Sequence, residues 1–281
     1  MKKNNLIKLI ILISLSIIVI INSGCDSSTT SGAAPIFLQI TSGPKKDEII
    51  TTDRITFTWA GNDKGYKFKY ALYYVKRDKS LELIDSSSWD VLTRTTFAYL
   101  DDGNYQFEVQ GMFRNIYSKV TRNFTVDAVK GPLIKFFRTR KIVALNDSIK
   151  INVWLEDVSK FLSGDLNIQF DKSYLYLDSV STTNFEDFNN ADLVGVILPD
   201  WKTIKDNTNS KGILTLSYAV ANNGSNSKEG ITGSGSVLTL HFVTKRLGST
   251  TLKVLTNSKL LDVNGKQISL KTPKDGYVVI Q

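Results

Sequence analysis

The sequence predicts an all-β protein: two tandem β-sandwiches, residues 34–128 and 131–281, behind an N-terminal export signal. Three observations carry that prediction. Apolar and polar residues alternate with period two along most of the chain, and no long stretch shows helical period. The alternating runs are short and separated by turn residues, as in sandwiches. One break, "DAVKGP" at residues 127–132, sets Gly131 and Pro132 between two such series.

The chain opens with "MKKNN" and an apolar run from Leu6 to Ile21, interrupted by Lys8, Ser14 and Ser16. A basic start and an apolar run shorter than a bilayer span form a secretory signal, residues 1–24. Ser23-Gly24-Cys25 closes it and resembles the bacterial lipobox, although Asn22 stands where that motif prefers an aliphatic residue. The resemblance implies that Cys25 takes a diacylglycerol and becomes the first residue of a membrane-anchored lipoprotein, at the cell surface or facing the periplasm. The plainer reading is an ordinary signal or anchor in which Cys25 is incidental. Residues 25–33, "CDSSTTSGA", have the small, polar composition of a tether.

Cys25 is the only cysteine and His241 the only histidine, so the chain has no internal disulfide and no Cys/His zinc set. No metal or other cofactor is expected beyond the acyl group on Cys25. The formal charge is +8, and removal of Lys2, Lys3 and Lys8 with the signal leaves about +5. The charges are interspersed, so nucleic acid is not an expected partner. The densest basic stretch, "KFFRTRK" at 135–141, reads as a strand entry with solvated charges.

In the first unit, "RITFTWAG" alternates Ile55, Phe57 and Trp59 against Thr56 and Thr58. "FKYALYYV" aligns Phe68, Tyr70, Leu72 and Tyr74, and Tyr105, Phe107 and Val109 share a face after a turn at Asp102-Gly103-Asn104. Leu100 followed by Tyr105-x-Phe107-x-Val109, with Trp59 as an early core tryptophan, resembles fibronectin type III and related Ig-like modules. The resemblance implies a spacer whose Tyr105 ring fills the sandwich end while its hydroxyl bonds nearby backbone.

In the second unit, alternation turns Ile149, Ile151, Val153 and Leu155 inward, then Leu166, Ile168 and Phe170. Leu214, Leu216 and Tyr218 follow, then Leu238, Leu240 and Phe242, then Leu252 and Val254. Asn264-Gly265 marks a hairpin and "DGYVVIQ" a last strand; residues 185–211 read as irregular. "INVWLEDV", "QFDKSYLYL", "GSGSVLTLHFVTKRLGSTTL", "DVNGKQI" and "GYVVI" come in the order found in cohesins, which this unit resembles along almost its whole length. Lys172 stands where the family often has proline.

That resemblance implies a jelly-roll sandwich that binds dockerins, the calcium-loaded helix pairs carried by polysaccharide-degrading enzymes. Alternation sends Asp165, Asn167 and Gln169 to the solvent face, and Asp165 matches the acidic residue on the family's dockerin face. Ser163 falls where many cohesins have asparagine. The neighbouring strand exposes Thr215, Ser217 and Ala219, small groups suited to a flat docking plane. "DVNGKQI" lacks the later oxygen ligands of a calcium loop. Direct polysaccharide binding is the alternative function, with Trp154 and Trp201 as sugar-stacking platforms, although covering a sandwich edge is the favoured reading of either tryptophan. A third alternative is a structural envelope adhesion protein. No nucleophile elbow, P-loop or dinucleotide motif occurs, and His241 lies on the outward side of "LTLHF", so no catalytic residue is assigned and no enzyme is expected. The chain is expected to be a monomer.

Overall fold

The computed structural model describes residues 37–61, 65–188, 193–222 and 230–281. Cys25, the signal and the tether lie outside them. Among the described residues no helix is long and apolar enough to cross a membrane.

The first series of strands is β1 (Leu38–Ser42), β2 (Glu48–Ile50), β3 (Ile55–Gly61), β4 (Lys67–Val75), β5 (Leu81–Ser86), β6 (Arg94–Phe97), β7 (Gly103–Phe113) and β8 (Ile116–Val126). They form two sheets, β1-β3-β6 and β2-β8-β7-β4-β5. The alternation in the sequence explains the packing: Ile55, Phe57 and Trp59 from one sheet and Leu72, Tyr105, Phe107 and Val109 from the other are buried between them. Phe57 stacks on Phe107 with ring centroids 4.0 Å apart. Tyr105 seals the end of this core, stacked on Phe124, and its hydroxyl donates to the Asp101 carbonyl at 3.0 Å.

The second series is β9 (Leu133–Phe137), β10 (Arg140–Val143), β11 (Ser148–Phe170), β12 (Leu175–Thr182), β13 (Leu193–Leu198), β14 (Ile213–Asn222), β15 (Ile231–Thr244), β16 (Gly248–Val254), β17 (Lys259–Asp262) and β18 (Gly276–Ile280). The long β11 organises them. Its first half pairs with β15 and β9; its second half pairs with β14, β17 and β16. Register shifts between Leu155 and Phe161, with Asp157 and Lys160 at positive φ, bend it from one layer to the other. The alternating positions read from the sequence meet in one core, in which Ile151, Val153, Leu155, Ile168, Leu214, Leu240 and Phe242 are buried.

Two local expectations change. The segment read as irregular holds β13 and a helix, α1 (Trp201–Lys211). Only Thr208 of α1 is buried, so the helix had no apolar stripe to reveal it. Trp201 and Ile204 pack against the core, and polar bonds add to that hold: Trp201 Nε1 donates to the Asp178 carbonyl at 2.9 Å, and Asn209 bonds the Leu177 N–H and C=O. Gly212, at φ +70°, ends it in the left-handed conformation. The Asn264-Gly265 turn forms, closed by Asp262 N–H to the Lys266 carbonyl, but only one bridge, Leu261 to Gln267, follows it.

The larger correction concerns "KFFRTRK". Lys135 is 2% exposed and its ammonium lies 2.8 Å from Asp102 of the first sandwich and 2.6 Å from Glu156 of the second. Arg138 forms a fork with Glu82, and its guanidinium lies between the rings of Tyr74 and Phe137. Asp101 accepts from the Thr139 N–H and hydroxyl. These cations are not solvated, because β9 lies against the tyrosine-sealed end of the first sandwich. Carboxylates must then replace the lost water.

Candidate functional site

β13, β14, the second half of β11 and β17 lie side by side and turn one face to solvent. The register aligns two rows across it. Leu198, Ser217, Asp165 and Lys259 form one; Val196, Ala219, Ser163 and Leu261 form the other. Gly164 permits this width, since a Cβ there would lie 2.3 Å from the Lys259 carbonyl and push β17 away.

Asp165 sits near the centre. Ser217 Oγ donates to its Oδ1 at 2.8 Å, and Lys259 Nζ stands 3.6 Å from its Oδ2. Both charged side chains keep about half their surface in water, so this pair holds its geometry weakly and stays open to a competing partner. Next to it Val194, Val196 and Leu198 project from β13, which among the described residues pairs with β14 alone. A shallow depression of about 190 Å³ lies between these groups, lined by Asp165, Val196, Leu198, Ser217, Lys259 and Leu261. An apolar margin beside a small charged and hydroxylated centre suits association with a protein surface.

The residues expected from the sequence are only partly brought together here. Asp165, Thr215 and Ser217 share the face. Asn167 does not stand in solvent: it is 7% exposed. The link between β16 and β17 crosses over it, with Leu255 N–H on its carbonyl, Ser258 Oγ on its N–H, and Thr215 Oγ1 on its Oδ1. Alternation places a side chain on a face but cannot see a later segment cover it. Gln169 is exposed beyond that link, paired with Lys253 near Lys211 and Lys172.

Trp154 is half-buried, stacked on Phe137 at 4.8 Å, with Nε1 donating to Glu156. Trp201 packs against the second core. His241 bonds Ser181 at 3.1 Å on the outside of β15. Sequence reading missed Val194, Val196, Leu198, Lys259 and Leu261. The first three were legible as "LVGVIL", a run apolar at both parities, which a strand with one solvated face does not need.

Comparison with known proteins places this second sandwich. The cohesin domain model matches residues 139–280, just over half of the 281 residues. The chain belongs to the cohesin family. The match begins after β9, so the strand that carries Lys135 precedes the family domain. Among solved structures, a non-cellulosomal cohesin from the hyperthermophilic archaeon Archaeoglobus fulgidus is 17% identical, covering 54% of this chain and 92% of that one, with a TM-score of 0.40. A type II cohesin domain from the cellulosome of Acetivibrio cellulolyticus is 15% identical, covering 53% and 95%, with a TM-score of 0.40. The cohesin of a type I cohesin–dockerin complex from Clostridium thermocellum is 14% identical, covering 54% and 98%, with a TM-score of 0.38. No curated protein sequence matches the chain.

Proposed function

We propose that the chain is a non-catalytic surface lipoprotein that holds a dockerin-bearing partner, a polysaccharide-degrading enzyme, near the cell. Cys25 carries the acyl anchor, residues 25–33 are the tether, the fibronectin-like sandwich is a spacer and the cohesin module binds. The observation that supports this reading most is the Asp165–Ser217–Lys259 group beside the apolar edge of β13, in a chain of the cohesin family. A helix pair could seat an apolar stripe on Val194, Val196 and Leu198 and hydrogen-bond the centre.

The test is capture from the organism's secreted proteins on residues 26–281, with calcium and with chelator. Calcium-dependent recovery of a dockerin-bearing protein is expected, weakened at least tenfold by Asp165→Ala together with Val196→Asp, within the range of interface hot spots. Recovery of no protein, with retention on insoluble polysaccharide, would replace this reading by direct glycan binding. Both sandwiches are kept in the bait because removing the first would leave Lys135 without Asp102 and Arg138 without Glu82.

A further inference from the structure

The end of the first sandwich away from the junction carries a surface that the docking face does not use. Two connections meet there: the β7–β8 turn, with Arg114 and Asn115 at positive φ, and the segment 87–93 between β5 and β6. The Trp89 and Tyr117 rings lie 5.9 Å apart, and Asp90 bridges to Phe68 at the start of β4. Large apolar groups stand in solvent on the 87–93 segment and at the start of β8, Val91 at 68% and Tyr117 at 62% exposure, with Leu92 next to Val91 and Ile116 next to Tyr117 in the chain. So many on one tip exceeds the scattered apolar residues of an ordinary surface.

Cations surround this apolar tip. Lys69 Nζ lies 5.1 Å from the centre of the Trp89 ring, and the Arg114 guanidinium 5.0 Å from that of Phe113. Lys67 pairs across from Met112 in the β4–β7 ladder, and Arg94 begins β6. Among the described residues of the two connections the carboxylate is Asp90, whose Oδ1 accepts from the Val91 N–H. Glu108, farther up the sheet, is paired with Lys119.

The chain also enters at this end. Leu38, the first residue of β1, pairs with Gly61 at the end of β3 and lies over Gly111 near the β7–β8 turn. It follows Cys25 by thirteen residues, a length that reaches at most about 45 Å. The opposite end of β7 begins at Gly103, beside the junction with the cohesin module.

We infer that this tip is a membrane-contact surface that rests on the bilayer holding the lipid anchor. Trp89 and Tyr117 lie at headgroup level, Val91, Leu92 and Ile116 enter the acyl boundary, and the surrounding lysines and arginines meet anionic headgroups. Anchor and tip then act as two attachments, and the length of β7 holds the cohesin module roughly 35 Å from the lipid. The inference rests on the anchored reading proposed above for its biological setting, but its physical test is separate.

Residues 38–281, which contain both cores, are sedimented with vesicles of phosphatidylglycerol and phosphatidylcholine, and with phosphatidylcholine alone. Salt-sensitive binding to the anionic vesicles is expected, with quenching of tryptophan emission by brominated lipid. Lys67→Glu and Lys69→Glu, both at surface positions, each weaken binding roughly fivefold. Trp89→Ser with Tyr117→Ser weakens it about tenfold. No binding at low salt, or variants that bind as the parent does, would overturn the inference. So would retention on purified cell-wall glycan with the vesicles left unbound. The anchor is scored separately, by the mass and detergent partitioning of the native chain against Cys25→Ser. An unmodified chain fails the anchor, whereas an acylated chain whose sandwiches ignore anionic vesicles fails the tip alone.

Discussion

Lys135 and Lys259 belong to similar constellations in different surroundings. Each faces carboxylate from a neighbouring strand or loop: Lys135 faces Asp102 and Glu156, and Lys259 faces Asp165. The first group is sealed between two sandwiches, and Glu156 also takes the Trp154 and Ser234 hydrogen bonds. The second lies on an open face with its longer contact half in water. Burial makes a charge costly unless it is paired, so removing one partner at the junction leaves the others uncompensated. Exposure makes a pair cheap to break, so the Asp165–Lys259 contact adds little to stability.

Burial also sets the titration of the junction. Desolvation pulls Lys135 down, but Glu156 and Asp102 outweigh it and leave the ammonium above its ordinary value. Desolvation pushes Glu82 up, and the Arg138 fork reverses that, leaving it below the usual carboxylate range. Asp101 goes the other way: burial outweighs the Thr139 hydrogen bonds and the Arg138 charge, and its pKa is raised.

The contrast predicts a graded series. Lys135→Met should cost about 3–5 kcal/mol in denaturant unfolding, because two buried carboxylates lose their cation. Neutralising the whole group with Lys135→Met, Asp102→Asn and Glu156→Gln should recover most of that loss. If the single variant cost no more than a surface change, the junction would be wet and the contrast with the open face would fail. Tyr105→Phe removes one buried hydrogen bond at the same end and should cost about 1 kcal/mol, read from the same midpoints.

Asp101 gives the next effect, through pH. With its folded pKa raised, the stability it contributes is full below the unfolded value and is lost as pH rises through the folded one. Asp101→Asn should therefore compare better with the parent at neutral pH than in acid. Unfolding midpoints at both conditions check this, and a pH-independent difference would mean that Asp101 titrates alike folded and unfolded. The smallest stability effect is expected on the face: Lys259→Ala should shift unfolding by no more than about 0.5 kcal/mol. A large destabilisation there would make the Asp165–Lys259 pair structural and remove the distinction.

How much was legible follows the range of the signals. Period-two alternation is local, and it identified the buried positions of β3, β4, β7, β11, β14 and β15. The corner motif around Tyr105 is nearly as local, since its hydrogen bond reaches back four residues to Asp101. Asp165 could be placed on a solvent face by the same alternation. Asn167, two residues on, could not be separated from it, because the link that buries it returns from residues 255–258. Helix α1 was invisible for a related reason: Trp201 and Ile204 alone lay apolar side chains on the core, too few for a stripe, and polar bonds to β12 supply the rest.

By itself the sequence determined the all-β class, the inward positions along the alternating strands and the family to which residues 139–280 belong. Each depends on side-chain pattern along neighbouring residues, which survives without knowledge of partners. Tertiary structure alone decided that the basic stretch at 135–141 binds the two sandwiches together. It alone decided that β13 supplies an apolar margin to the Asp165 face, and that β1 starts against Gly61 and Gly111 near the β7–β8 turn. Charge, burial and adjacency there arise between residues far apart in the chain, and a carboxylate such as Asp102 acquires its meaning only when folding removes the water around Lys135.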